Sequence, residues 1–390
     1  MIENQHIICF STEDWNPLLP TNKYQLMSRL SEKNKILYIE TLGTRRPQFN
    51  FSDVSRITKR LFSQKKTSDA YRDSVSVLSP RIIPSHTNFF RKINSFLFAP
   101  ILKKHICKNN IKNPIVWIYN PYAVYYLDAI KDPSLIIYHC VDDLSAVPGA
   151  NKQEMIKAEE KLLKRSNIVF ATANNLYEKC KKINPNTFLQ TNVSDFNHFN
   201  TVDKQEFEKP SQLENLKKPI LMFSGNLARH KVDYKLIKYI ALSRPDWTLV
   251  IIGPKWEGDS SEEFESMTKI KNIKYIGYIA YLELPRYFKY ADILFIPYVK
   301  NKATENVFPL KFYEYLATGK PVICTDLGSL QEKKGLIPLT DDHDQYVKEC
   351  EKLLLSADEN KGERIKCASE NTWEKRIDQM SEIINSFKKM

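Results

Sequence analysis

Residues Glu305–Gly328 read ENVFPLKFYEYLATGKPVICTDLG, and their punctuation calls for a helix followed at once by a buried strand. Pro309 suits the first helical position, where a missing N–H costs nothing. Leu310, Tyr313, Leu316 and Ala317 then fall on one apolar face, with Lys311 and Glu314 three apart on another. Gly319 suits the left-handed stop of a helix, and Lys320–Pro321 leads into the apolar run Val322–Thr325. A helix of this kind presents unpaired N–H groups and a positive dipole end, so a phosphate can dock at its start. Lys311 would then neutralise diphosphate charge, and Glu314, just over a turn deeper, would accept hydrogen bonds from ribose hydroxyls. The same pattern also describes an ordinary amphipathic helix carrying an exposed lysine–glutamate pair of little energetic weight.

The alternation extends in both directions. Short apolar runs occur at His6–Phe10, Ile36–Ile39, Val75–Leu78, Ile115–Tyr119, Leu135–Tyr138 and Ile168–Ala171. A second series follows at Ile220–Ser224, Thr248–Ile252, Ile273–Ile276, Ile293–Ile296 and Val322–Thr325. Continuous apolar runs of this length suit parallel strands covered on both faces. Helical patterns lie between them at Asn22–Ser31, Lys152–Arg165, Asp233–Ser243, Tyr281–Tyr290 and Pro309–Thr318. This predicts an α/β protein of two doubly wound, Rossmann-like domains. The expected division is 1–200 and 219–370, with the polar stretch 201–218 as linker and a helix over 371–390, where Trp373, Ile377, Met380, Ile384 and Phe387 keep helical spacing.

Composition narrows the function classes. The chain has 390 residues, a net charge of +12 and only ten glycines. Gly225, Gly253, Gly277 and Gly319 close strands or follow a helix, where a glycine lets a ligand approach the backbone. No G-x-G-x-x-G follows a strand and no G-x-x-x-x-G-K-[ST] occurs, so dinucleotide redox chemistry and P-loop hydrolysis lose their fingerprints. Seven cysteines are scattered without a C-x-x-C pair, which indicates neither a disulfide framework nor a zinc site and suits a cytoplasmic chain. The start MIENQHIICF lacks the layout of a secretory signal. Asp142–Asp143 and Asp341–Asp342 do not make a convincing metal cluster, and the second pair reads as a turn before a helix.

The charge is uneven. Residues 1–110 hold 18 Lys/Arg and 8 Asp/Glu, whereas the other 280 hold 40 and 38. An anionic partner of the N-terminal part, such as an anionic membrane, a phosphate-bearing acceptor or nucleic acid, would account for this, as would solvated lysines alone. Asn88–Lys108 interleaves Phe89, Phe90, Phe96, Leu97 and Ile101 with Arg91, Lys92, Lys103 and Lys104, a pattern of interfacial helices and of core helices with a basic edge. No nucleic-acid recognition motif accompanies the basic residues.

The stretch Glu305–Gly328 resembles the C-terminal signature of family 4 of the retaining GT-B glycosyltransferases, in its FPLK, its EY pair and its A-x-G-K-P-V run. Phe223–Ile237 (FSGNLARHKVDYKLI), Arg244–Pro254 and Asn272–Tyr298 are similar to the family's diphosphate loop, next strand and base-binding segment. Tyr138–Ala150 (YHCVDDLSAVPGA) with Ser166–Leu176 resembles a subgroup that includes teichuronic acid, capsule and exopolysaccharide enzymes. The resemblance implies two domains facing a cleft, with the terminal helix crossing back to the first. It implies transfer of a sugar, with retention and without a metal or bound cofactor, from a nucleoside-diphosphate sugar to a glycan or lipid-linked acceptor at the inner face of the plasma membrane. Asn226, Arg229, Lys231, Pro309, Leu310 and Lys311 would hold the diphosphate. Glu314, Gly225, Gly253, Tyr278, Asn306, Val307 and Phe308 would contact ribose, base or sugar. His139, Asp142 and Asp143 are the catalytic candidates, and Trp15, Arg45 and Arg46 would border the acceptor.

The sequence departs from the family at three places. Asn306 stands where many members have the first of two glutamates, with Glu305 one position off. Asn226 stands where they have the loop arginine, for which Arg229 or His230 would substitute. Ser11–Trp15 replaces the glycine-rich loop after the first strand. Two other functions stay open: a different GT-B activity, such as a nucleotide-sugar epimerase or an inactive homologue, and a basic nucleic-acid-binding protein.

Overall fold

A computed structural model describes residues 1–15, 17–42, 74–80, 82–83, 88–147, 149–255, 262–302, 304–355 and 358–388. The chain forms two compact units, Met1–Thr191 with Ile377–Met390, and Asn192–Arg376.

The first unit is built on a seven-stranded sheet: β1 (His6–Phe10), β2 (Lys35–Ile39), β3 (Val75–Leu78), β4 (Ile115–Ile118), β5 (Leu135–Cys140), β6 (Ile168–Ala171) and β7 (Thr187–Leu189). Their spatial order is β3-β2-β1-β4-β5-β6-β7, and every pairing is parallel. Among the described residues its helices include α1 (Asn22–Leu30), α2 (Asn88–Lys108), α3 (Lys152–Arg165) and α4 (Asn174–Lys181). The helix α2 runs through Pro100.

The second unit opens with α5 (Phe196–Lys204) and carries β8 (Ile220–Ser224), β9 (Thr248–Ile252), β10 (Ile273–Gly277), β11 (Ile293–Ile296) and β12 (Val322–Cys324). Here the order is β10-β9-β8-β11-β12, again all parallel. Its remaining helices are α6 (Tyr234–Ser243), α7 (Glu262–Thr268), α8 (Leu284–Phe288), α9 (Leu310–Ala317), α10 (His343–Leu355) and α11 (Lys361–Glu370). A last helix, α12 (Trp373–Lys388), starts in this unit, and its residues from Ile377 fold with the first. There Ser381 Oγ accepts the Ile2 N–H at 2.9 Å, and Phe387 meets Phe188 edge-on.

The unbroken apolar runs have a direct physical cause. Successive strand residues point to opposite faces, and both faces of the second sheet are covered. Ile220, Met222, Val250, Ile252, Leu294 and Ile296 pack with α5 and α9 residues such as Phe199, Phe312 and Leu316. Leu221, Phe223, Leu249, Ile251, Ile293 and Phe295 pack with α6 and α10 residues such as Ile237, Ile240 and Tyr346. In β8 and β11 no position carries a polar side chain before the carboxyl end, which is where function is expected in such sheets.

Several expectations need adjustment. The stretch read as a linker is folded into the second unit. All of 201–218 lies within Asn192–Arg376, and Leu213 is fully buried. Pro309 is the N-cap rather than the first helical residue of α9. The glycines after β8, β9 and β10 serve one another as much as any ligand. Gly225 N–H bonds Ile252 O, and Gly253 N–H bonds Gly277 O. A Cβ on Gly253, whose φ is +143°, would lie 1.8 Å from the Gly225 carbonyl oxygen. Asp342 does open a helix, accepting the Gln345 N–H at 2.7 Å.

Gly253→Ala is therefore expected to cost about 3 kcal/mol or more in urea unfolding, from positive-φ strain plus a backbone clash. Gly335→Ala, with nothing within 4 Å of its Cβ, should stay within about 0.5 kcal/mol of wild type. Equal effects at the two positions would refute the close-approach account.

Candidate donor site

In an open parallel sheet, the crevice forms where strand order reverses. In the second unit that point lies between β8 and β11, and two chain segments meet there. One is the loop Gly225–Val232 after β8. It closes on itself through Lys231 and Val232 N–H bonds to Ala228 O. It is tied to the strand end of β11 by Asp233 N–H to Pro297 O and Val299 N–H to Lys231 O. The other segment is α9. Tyr315, fully buried, accepts the Ser224 N–H at 2.8 Å and donates to the Ser224 carbonyl at 3.3 Å. Strand end and helix are thus locked together.

The α9 helix is held at both ends. Ahead of it, the Val307 and Phe308 carbonyls are taken by Ser329 Oγ and Asn192 Nδ2, each at 2.7 Å. Behind it, Arg364 donates to Gly319 O at 2.8 Å. The leading amides of any α-helix have no intrahelical acceptor, so those of Leu310 and Lys311 open the helix toward an anion. Phe308 itself is a core residue, its ring stacked 5.3 Å from that of Tyr313.

Lys311 and Glu314 form a salt bridge of 2.6 Å with side-chain exposures of only 13% and 4%. The exposed, weak pair that the spacing also allowed is not what is found. Burial pushes the Glu314 carboxyl above its ordinary range, and the Lys311 ammonium opposes that shift. His198, on α5, adds its field. Its ring stacks on Tyr281, and Nε2 lies 3.0 Å from the Tyr281 carbonyl.

The loop candidates divide. Lys231 is half-buried beside the turn. Arg229 is 62% exposed and faces Glu263 at 3.3 Å. Asn226 carries a buried Oδ1 with no hydrogen-bond partner. A buried unsatisfied amide calls for an explanation, and a bound group able to pair with that amide would supply one. Tyr278, just past β10, is exposed. The side chain of Asn306 lies outside what the structure describes, as do Arg45 and Arg46 entirely.

The first unit has its own reversal point between β1 and β4. His139 is fully buried within β5, hydrogen-bonded through Nδ1 to Trp117 Nε1 at 3.4 Å and stacked on Tyr119, so it serves the core there. Asp143 caps the turn Leu144–Ala146 and lies 3.6 Å from Lys179. Trp15 packs against Tyr24 and Tyr38. Asp142, half-buried at the end of β5, interacts electrostatically with Glu13 in the loop after β1. The Glu13 carboxyl is raised by burial and opposed by Lys23 and a hydrogen bond from Thr21. Glu13 and Lys23 are site candidates that the sequence reading did not name, although Glu13 lies in the stretch Ser11–Trp15 that departs from the usual loop. Among the described residues, no three His, Cys, Asp or Glu side chains converge to hold a metal ion, and no helix is long and apolar enough to cross a membrane.

Two outcomes follow for the buried pair. Glu314→Ala strands a buried ammonium and should cost about 3–5 kcal/mol, while Lys311→Met/Glu314→Leu should recover most of it. In Lys311→Met the carboxyl loses its counter-charge, so its folded pKa climbs further above the unfolded value. The stability it contributes is complete below the unfolded pKa and is lost as pH rises through the folded one. Urea unfolding at a series of pH values should show Lys311→Met falling behind wild type as pH increases; parallel curves would contradict the burial of Glu314.

Comparison with known proteins fits this geometry. Residues 204–371 match the family described as glycosyl transferases group 1. A putative teichuronic acid biosynthesis glycosyltransferase, TuaH of Bacillus subtilis (strain 168), is 29% identical over 237 residues. That match spans 56% of this chain and 58% of the relative, little more than half of each. Among solved structures, sucrose-phosphate synthase from Thermosynechococcus elongatus aligns over 98% of this chain and 99% of its own, with a TM-score of 0.70 and 15% identity. Anabaena Alr3699/HepE in complex with UDP-glucose aligns over 98% and 100%, with a TM-score of 0.68 and 12% identity. The chain thus has the GT-B fold, and it is similar over residues 204–371 to the glycosyl transferases group 1 and over little more than half its length to a putative teichuronic acid biosynthesis glycosyltransferase.

Proposed function

We propose that this chain transfers a sugar, with retention, from a nucleoside-diphosphate sugar to a glycan or lipid-linked acceptor of a cell-envelope polysaccharide, working at the cytoplasmic face of the membrane. The observation that carries the donor half is the lock between Ser224 and Tyr315. It ties α9 to the end of β8, the strand from which the loop bearing Asn226 and Lys231 departs. The acceptor half is supported by the kinship to TuaH.

Departure of a nucleoside diphosphate leaves negative charge that fixed donors and cations must stabilise. Lys231 is the side chain best suited to this, because Arg229 faces Glu263 and Lys311 is bound to Glu314. The α9 amides add uncharged donors, and the Asn226 Oδ1 would accept from a hydroxyl of the sugar nucleotide. Glu314 would accept ribose hydroxyls with whichever lone pairs Lys311 leaves. On the other unit, Asp142, with Glu13 coupled to it, is the carboxylate to take the acceptor's proton or to face a cationic transition state.

A thermal-shift panel of UDP-, GDP- and ADP-sugars tests the donor reading, UDP-glucose being the first to try because HepE was solved with it. One base class should raise Tm, and Lys231→Ala should weaken its binding at least ~10-fold, about 1.4 kcal/mol. Asp142→Asn should leave that shift intact while abolishing nucleoside diphosphate release onto an envelope acceptor. Absence of any nucleotide-sugar response, or full response in Lys231→Ala, would sink the assignment.

A further inference from the structure

The α2 helix turns two unlike faces to its surroundings. Asn94, Phe98, Leu102 and His105 are buried, at the spacing of a single helical stripe. Outside that stripe, from its far side round to its edge, Phe89 is 68% exposed, Phe96 81%, Leu97 44% and Ile101 37%. A fold gains nothing by holding a phenylalanine four-fifths in water, and contiguous exposed apolar side chains mark an interaction surface. The helix has no acidic residue. Lys92, Lys103, Lys104 and Lys108 are exposed. At about 100° per residue, Lys92 and Lys103 border the Phe89–Phe96 stripe on one side, and Lys104 and Lys108 flank Leu97 and Ile101 on the other. Arg91 is turned inward to Glu154 at 3.3 Å and to Tyr125.

We infer that this face of α2 docks on an anionic bilayer surface, its phenylalanines and aliphatic side chains entering the headgroup–acyl boundary while the lysines reach lipid phosphates. Charge complementarity selects this occupant. A second copy of the chain, related by a two-fold axis, would set one basic helix against its twin. Nucleic acid would satisfy the lysines but offers no hydrocarbon phase for Leu97 and Ile101. An interfacial helix needs both an apolar face and a cationic border, with lysine stems spread over the boundary and their ammonium groups in water. The inference deepens the membrane-side reading above by naming the surface, and it uses none of the donor-site residues.

Vesicle co-sedimentation of the full chain tests it, with phosphatidylcholine alone and with phosphatidylcholine containing one-third phosphatidylglycerol, at low and high salt. The chain should partition onto the anionic vesicles at least ~10-fold more strongly than onto neutral ones, and high salt should reduce this. Phe96→Asp/Leu97→Asp should lower anionic binding at least ~10-fold, and Lys103→Glu/Lys104→Glu should remove the preference for anionic lipid. Both variants should keep the wild-type thermal shift with the nucleotide sugar, which separates failure here from failure of the donor reading. If the parent binds neither vesicle, or the charge-reversal variant binds like the parent, the inference is overturned. It is overturned equally if Phe96→Asp/Leu97→Asp turns a dimer into a monomer in light scattering without changing vesicle binding, for the face is then a self-interface.

Discussion

One tyrosine hydroxyl organises the donor side of this protein. Tyr315 sits a turn and a half into α9, yet it pairs with both backbone groups of Ser224, the last residue of β8. A strand end and a helix brought together only by apolar packing can slide by fractions of an ångström, whereas two hydrogen bonds in a dry interior fix them. Everything proposed for the leaving group depends on that fixed distance. For the α9 amides and the turn at Ala228–Lys231 to share one anion, as proposed, Ser224 and Tyr315 must not move apart.

The buried ion pair next to this lock plays a different part. Lys311 and Glu314 cancel one another in a place where neither could be stable alone. Such pairs add little net stability compared with apolar substitutes, but breaking them is costly. The pair therefore makes α9 sensitive to loss of either partner. In the first unit, a carboxylate likewise occupies the reversal point, but Glu13 is held by burial against Lys23 rather than by a tight bridge.

The strands were readable in the sequence because both faces of each sheet are covered, so that almost every position in β1, β8, β9 or β11 had to be apolar. β7 was not, since the three residues Thr187–Leu189 are too short to show a period. The helix α5 was hidden for another reason. Its apolar residues Phe196, Phe199 and Val202 are diluted by polar neighbours, so the segment reads as part of a polar connection. At the donor site, spacing revealed that Lys311 and Glu314 share a face, but not that the face is buried. That depends on contacts from α5, which bonds the end of α9 through Asn200 and acts on Glu314 through His198, more than a hundred residues earlier in the chain. The opposite faces of α2 were equally unreadable, because phenylalanines on both sides of a helix carry no sign of which side is covered.

The strand-end glycines of the second unit have a consequence for how such a protein can diverge. The space that a side chain on Gly253 would need is filled by the carbonyl of Gly225, so two neighbouring loops share one wall, and neither can be re-spaced without the other. Change is thereby channelled to side chains outside the shared wall, such as the exposed Tyr278. The backbone frame at these strand ends is inherited as a unit, while the side chains around it stay replaceable.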